Sequence, residues 1–299
     1  MPSMRRAPRK RALRSPEKTT FRNVKRALAP IACAAALLCG EPGSAQRGLP
    51  RPAHVVVIVE ENKSLAEIVD NGRAPFINSL ARRGALFTQS HGVTHPSLPN
   101  YLALFAGVTN DNGDGCPATG FSRTAPNLAS ELLAVHRTFG GYAEGLPAPG
   151  SSVCAAGSYA RKHAPWVEFT NVSASVQKPF AQFPEYSRLP TVAFVVPDVD
   201  DDMHDGSIAA GDDWLVKNLG KLVAWAESHD TLVVLTWDEG YDAYNTIPTI
   251  FFGPMVRPGR YSTPITHYDV LRTLETMYGL PPSGRAAGVM PIRAVWRAT

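Results

Sequence analysis

A chain of 299 residues that is 44% hydrophobic, 9% aromatic and only 19% charged can bury a sizeable core, which excludes a disordered or fibrous protein. Its formal net charge of +4 hides an asymmetry: residues 1–45 carry ten of the 30 Lys and Arg but only two of the 26 acids, Glu17 and Glu41. Residues 46–299 therefore hold 20 basic against 24 acidic side chains, a net of −4, and nucleic-acid binding loses its electrostatic support.

The ten basic residues run from Arg5 to Arg26, followed by the apolar stretch Ala27–Gly40 and the small residues Gly43-Ser44-Ala45. That order predicts a secretory signal over 1–45 cleaved near Ala45, a secreted or periplasmic protein, and one domain over 46–299. The apolar run is too short to span a bilayer. Arg5-Arg6 lacks the rest of a twin-arginine motif, and Leu38 stands before Cys39 where a lipoprotein has a small residue, so the export route stays open. Cys33 and Cys39 leave with the leader. Cys116 and Cys154 remain and are expected to form a disulfide, as suits an exported chain.

The folded part opens with a predicted strand at His54–Val59. A helix follows from Ala74-Pro75 to Arg83, with Gly84 as its stop, and then a strand at Leu86–Gln89. Pro99–Ala106 reads as a buried helix closed by Gly107, and Asn127–Ala134 as another, before a strand near Thr138–Tyr142. Residues 143–189 are rich in Pro, Ser and Gly and read as loop. A strand at Thr191–Val196, an amphipathic helix at Asp212–Ser228, strands at Thr231–Thr236 and Pro248–Phe252, and a helix at Tyr268–Tyr278 complete the order. Strands alternating with helices predict an α/β fold with a mainly parallel, doubly wound sheet and helices on both faces.

Three of these apolar runs end in acids or amides: Glu60-Glu61-Asn62, Asp198–Asp205 and Asp238-Glu239. In an open α/β sheet, ligands bind beyond the carboxyl ends of the strands, so three segments would bring carboxylates to one edge. That suits a hard cation and a phosphate better than it suits a core. Ser97, two residues before Pro99, is a good helix N-cap; a serine at a helix N-terminus beside a cation is equally suited to attack phosphorus. These two readings are not separable on the window itself.

The stretches VVVIVEEN (55–62), APFINSLARRGALFTQ (74–89), THPSLPNYLALFAG (94–107), YARKHAPWVEF (159–169), PDVDDDMHDGSIAAGDDWL (197–215), LTWDEG (235–240) and THYDVLRTLETMYGLP (266–281) together resemble the bacterial secreted phosphoesterase family. That family holds acid phosphatases and phospholipases C on an alkaline-phosphatase-like fold, and the likeness runs closest to its mycobacterial acid-phosphatase branch. The resemblance implies a secreted acid phosphatase acting on phosphate monoesters, phosphatidylinositol 3-phosphate included, through a phosphoserine. It places the nucleophile on Ser97 with Asn100 nearby, cation ligands on Glu61, Asn62, Asp238 and Glu239, and the family's Asp-Met-His-Asp segment on Asp202, Met203, His204 and Asp205. Some relatives carry Asp where Glu239 stands.

His204 is the candidate for contacting the phosphate or protonating the leaving oxygen, as an imidazolium between Asp202 and Asp205. Oxygen ligands favour Mg²⁺, Ca²⁺ or Mn²⁺, with metal-free catalysis left open. Glu60 is expected to point to the other side, as a supporting or a surface residue, and Asp198, Asp200 and Asp201 to form a solvated loop. Lys63, Arg161, Lys162 and His163 are set against a second phosphate or an anionic membrane surface, with an ordinary solvated face as the plain alternative. His267 is expected to cap or contact backbone, and His95 to pack near Ser97. The protein is expected to be a monomer whose partners are its phosphomonoester or phosphoinositide substrate, with at most transient membrane contact and no nucleic acid. Two rivals stand beside this reading. One is a phospholipase C, for which no long apolar loop offers an acyl-chain lip; the other is a non-catalytic phosphoinositide-binding protein. A sulfatase is disfavoured because Cys116-Pro117-Ala118 lacks the downstream arginine that formylglycine formation needs.

Overall fold

The strand β1 (His54–Glu60) alternates between two cores. Val55, Val57 and Val59 join one apolar cluster, while Val56 and Ile58 join the other, so both faces of the sheet are covered. This computed structural model describes residues 48–298; the expected leader and its cleavage site lie outside them. Among the described residues no helix is long and apolar enough to cross a membrane.

After β1 come the short helix α1 (Leu65–Ile68), α2 (Pro75–Arg83), β2 (Ala85–His91), α3 (Ser97–Ala106) and α4 (Leu128–Ala134). β3 (Phe139–Ala143) leads into a segment holding the small hairpin β4 (Ala155–Ala156) and β5 (Tyr159–Ala160), then β6 (Gln177–Pro179). β7 (Val192–Val196), α5 (Ile208–Ala226), β8 (Thr231–Trp237), β9 (Thr246–Phe252), β10 (Gly259–Tyr261), β11 (Ile265–Thr266) and α6 (His267–Tyr278) follow. The main sheet has nine strands in the order β10-β2-β9-β8-β1-β7-β3-β6, with β11 beside β2. From β8 to β6 every pairing is parallel. β9 runs antiparallel to both β8 and β2, which makes the sheet mixed. Residues 238–245 are too few for a crossover helix, so the chain leaving β8 must return beside it in the opposite sense.

The face of Val55 and Val57 packs on α3, α4 and α6 through Leu102, Phe105, Leu132, Leu271 and Leu274; the other face packs on α2 and α5 through Ile77, Leu80, Leu215 and Leu219. α3 and α6 each end in a left-handed glycine, Gly107 at φ 67° and Gly279 at φ 69°, a conformation that costs other residues a steric penalty. α3 begins two residues before the expected Pro99. Ser97 is its first helical residue and Pro96 stands at the N-cap, so Ser97 does not cap the helix. α5 also begins a turn early, at Ile208, because the Ser207 hydroxyl accepts the Ala210 N–H at 3.1 Å. The two- and three-residue strands β4, β5, β6, β10 and β11 are too short to carry a period in the sequence. Cys116 and Cys154 form the expected disulfide, with Cα atoms 5.8 Å apart.

Candidate active site

Three strand ends meet beside the first turn of α3. Glu61 and Asn62 leave β1, Asp238 leaves β8, and the loop after β7 brings Asp202. Hydrogen bonds lock them together: the Glu61 N–H donates to the Asp202 carbonyl at 2.8 Å, and the Asn62 N–H to Asp238 Oδ1 at 3.0 Å. Lys63 Nζ donates to the Met203 carbonyl at 2.7 Å, so Lys63 holds this junction rather than facing a substrate. Asn62 sits at φ 58°, which asparagine tolerates better than most residues. His267, buried at the start of α6, donates Nε2–H to the Asp238 carbonyl at 2.6 Å. Burial pushes its pKa down to about 4, so the ring is neutral and serves as a backbone contact.

Ser97 Oγ donates to Glu61 Oε2 at 2.9 Å, and both residues are buried. His163, also buried, approaches Glu61 Oε1 at 3.1 Å through Nε2 and Asp202 Oδ2 at 2.9 Å through Nδ1, while its ring stacks on Tyr101. These are close approaches rather than aligned hydrogen bonds, since both ring nitrogens lack a well-directed partner. Burial, and then the Lys162 charge, hold the His163 pKa well below the ordinary value. His163 drew no catalytic expectation of its own. Its one signal was its place in the stretch YARKHAPWVEF.

The carboxyls of Glu61, Asp202 and Asp238 are all raised by burial first and by charge second. For Glu61 the second cause is Asp202, and for Asp238 it is Glu61. Asp202 reaches about 8, with the His204 N–H the leading opposing influence. Glu61 Oε1, Asn62 Oδ1, Asp202 Oδ2 and Asp238 Oδ2 are buried and unpartnered. Glu61, His163 and His204 also present ligand atoms within 4.8 Å of one another. Buried oxygens left unpaired where burial disfavours their charge suit a hard divalent cation, so the residues present fit one. Glu239 is buried beside them but engaged elsewhere: Oε2 meets His95 Nδ1 at 2.9 Å and Asn100 Nδ2 at 3.2 Å, and Oε1 accepts the Tyr241 hydroxyl at 3.1 Å. Asn100 accepts the Val93 and Thr94 N–H groups and donates to the Thr94 and Pro96 carbonyls, so it fixes the segment leading into Ser97.

On the open side, Lys162 Nζ donates to Asp114 Oδ2 at 2.9 Å and to His204 Nε2 at 3.1 Å, and Asp114 Oδ1 accepts the Leu98 N–H of α3 at 2.9 Å. Burial, the largest influence on Lys162, opposes its charge, but Asp114 and Glu61 raise its pKa above the ordinary value. His204 therefore lies between Lys162 and Asp205, whose Oδ1 is 2.7 Å from Nδ1, while Asp202 takes its backbone N–H. Its ring thus lies between an ammonium and a carboxylate, not between the two carboxylates expected. Arg161 is buried against Glu168 at 2.6 Å and is no substrate contact. Glu60 is buried completely, which excludes the surface alternative and leaves the supporting one. The loop after β7 and the start of α5 cover that face.

Comparison with known proteins bears on this site. A profile of the phosphoesterase family matches residues 68–281. The chain is 52% identical over 285 residues to a phosphatidylinositol-3-phosphatase of Mycobacterium tuberculosis, covering 91% of this chain and 95% of that protein. It is 32% identical to an acid phosphatase of Aspergillus fumigatus over 69% of this chain, and spans about half of that protein's length, 51%. Among solved structures, a Vibrio parahaemolyticus protein of the alkaline phosphatase superfamily superposes with TM-score 0.57 at 13% identity, over 83% of this chain and 73% of that one. A Listeria monocytogenes lipoteichoic acid synthase gives 0.58 at 9% identity, over 78% and 73%. At such identities the structures speak for the fold alone.

Proposed function

This chain belongs to the phosphoesterase family and is a hydrolase of phosphoric monoesters, and from that premise we propose that it is exported, that its substrates include phosphatidylinositol 3-phosphate, and that it works through a phosphoserine at Ser97. One observation carries the reading: Ser97 Oγ stands on the first residue of α3, 2.9 Å from Glu61 Oε2, at the rim of a buried carboxylate cluster. The 52% identity to a phosphatidylinositol-3-phosphatase supports the substrate, and the Cys116–Cys154 bridge supports export.

Ser97 Oγ forms a bond to phosphorus as the ester P–O bond breaks, and its proton passes to Glu61 Oε2, which burial has made more basic than an ordinary carboxylate. The Lys162–His204 pair gives a proton to the departing oxygen. Water then attacks the phosphoserine from the side the alcohol left, returning a proton to that pair. Inorganic phosphate leaves, and Glu61 gives the serine its proton back. Glu61, Asn62, Asp202 and Asp238 are the residues that would hold a divalent cation, with Glu239 set back against His95 and Asn100. Bound there, such an ion would neutralise charge on the serine and phosphate oxygens.

The test measures phosphate release by the purified protein from phosphatidylinositol 3-phosphate and from an aryl phosphate, wild type beside Ser97→Ala, with and without chelator. The variant is expected to lose activity by about 10³-fold or more. Full activity in Ser97→Ala would remove the phosphoserine. Release from the aryl phosphate alone would remove the lipid substrate.

A further inference from the structure

Two pairs of adjacent acids, Glu60-Glu61 and Asp201-Asp202, straddle the carboxyl edge of the sheet. Glu61 and Asp202 serve the site beside Ser97. Glu60 has the parity of Val56 and Ile58 and belongs to the opposite face, the one covered by α5. It is completely buried, and neither of its oxygens has a partner. The charges it feels are Asp202, Asp201, Asp212 and Glu144.

Beside it, Glu144, Asp198 and Asp201 present carboxylate oxygens within 4.8 Å of one another. Topology explains the meeting: β1, β7 and β3 are consecutive neighbours in the sheet, and Glu60, Asp198 and Glu144 stand at or just past their carboxyl ends. Backbone contacts fix the arrangement. The Glu144 N–H donates to the Val196 carbonyl at 3.0 Å, the Asp198 N–H to Glu144 Oε2 at 3.2 Å, and Asp198 Oδ1 accepts the Asp200 and Asp201 N–H groups. Asp212 is engaged elsewhere, accepting the Phe76 and Ile77 N–H groups at the start of α2. Lys217 is the cation felt by Asp201. Three carboxyls thus meet, and a fourth, Glu60, stands wholly buried and unpartnered at the neighbouring strand end on the same face, with little positive charge to answer them.

We propose that Glu144, Asp198 and Asp201, backed by the buried and unpartnered Glu60, form a second divalent-cation site, separate from the centre beside Ser97, that takes Ca²⁺. Irregular loop geometry and oxygen-only donors suit the flexible coordination of Ca²⁺ better than the strict octahedron of Mg²⁺. The ion ties the loop after β7 to β1 and β3. That loop carries Asp202 and His204 to the other face, so the ion stiffens their support.

Trp214 lies against Glu144 and supplies a readout that needs no activity. Tb³⁺ is titrated into the Glu61→Gln protein, which disables the centre beside Ser97, with tryptophan excitation. A single saturable rise in emission is expected, displaced by Ca²⁺. At a hundredfold excess over Kd, Ca²⁺ is expected to raise Tm by roughly 5–10 °C. Adding Glu144→Gln and Asp198→Asn is expected to abolish both effects. These neutral variants remove mutual repulsion, so the cation-free Tm should not fall, and circular dichroism reports the fold. Emission and a Ca²⁺ shift that persist in the triple variant, or that are absent from Glu61→Gln, overturn the site.

Discussion

Glu275 offers a test of the electrostatics that is far from the reactive serine. It lies on α6, wholly buried, with Oε1 accepting the Ser283 N–H at 2.7 Å and Arg272 at 3.9 Å from Oε2. Burial raises its pKa from 4.5 to about 7, against the opposing hydrogen bonds from Ser283. The folded value lies above the unfolded one, so ionising this carboxyl opposes folding. The penalty is nearly absent below pH 4.5 and complete above pH 7. Between pH 5 and pH 8 the wild type should lose about 2–3 kcal/mol from this group, at 1.36 kcal/mol per pKa unit. Glu275→Gln keeps an acceptor for Ser283 and cannot ionise. Urea unfolding at both pH values should show the variant stabilised by about 3 kcal/mol at pH 8 and by about 1 kcal/mol at pH 5. An equal effect at both pH values, or a variant less stable than wild type at pH 8, would refute the burial argument. Glu131, raised to about 6 by burial, adds a smaller trend of the same sign.

Lys162→Met should lower kcat/KM for a phosphomonoester by about 10²–10³-fold while leaving Tm close to wild type, since this ammonium faces the reacting groups. Arg161→Met, one residue away, should instead cost about 3–5 kcal/mol of stability by leaving Glu168 buried and unpaired; reversed phenotypes would exchange the two roles. Reducing the Cys116–Cys154 bridge, which spans 38 residues, should cost about 3–4 kcal/mol of stability. It should also lower activity, because the bridge joins the segment bearing Asp114 to the one leading into Lys162. Denaturation and phosphate release with and without reductant check this, and unchanged turnover in a less stable protein would confine the bridge to stability.

The strands at the carboxyl edge were legible because each is a short run of Val, Ile, Leu or Phe that stops at an acid, and the parity separating Glu60 from Glu61 needs only the pleat. The burial of Glu60 was not legible, since it depends on a loop and a helix start from 140 residues further along the chain. Ser97 was ambiguous for a physical reason: capping and catalysis ask for the same residue at the same place, and only the structure moves it from N-cap to the first helical position. His163 lies on a single 3-10 turn and Asp114 in a loop, segments too short to carry a period, and their course is set by tertiary contacts, one of them the disulfide. The antiparallel return of β9 rests on the short connection after Asp238, a length that alternating strands and helices do not reveal.

Charge balance around Ser97 bears on the order of events. The carboxyls of Glu61, Asp202, Asp238, Glu239 and Asp114 gather here, while Lys63 is held against the Met203 carbonyl and Lys162 against Asp114 and His204. Asp114 already occupies the place an incoming phosphate would seek, since it accepts the Leu98 N–H at the α3 N-terminus and the Lys162 ammonium. A dianionic phosphate cannot approach such a surface unless the carboxyls lose charge. Protonation supplies part of that loss, and the raised values of Glu61, Asp202 and Asp238 make it accessible towards acid pH. Without a divalent cation, KM for a phosphomonoester should therefore fall as pH is lowered from 8 to 5. With a cation held by the same carboxyls, that dependence should flatten, because their charge is answered at every pH. A KM that is insensitive to pH in the presence of chelator would separate phosphate binding from this cluster.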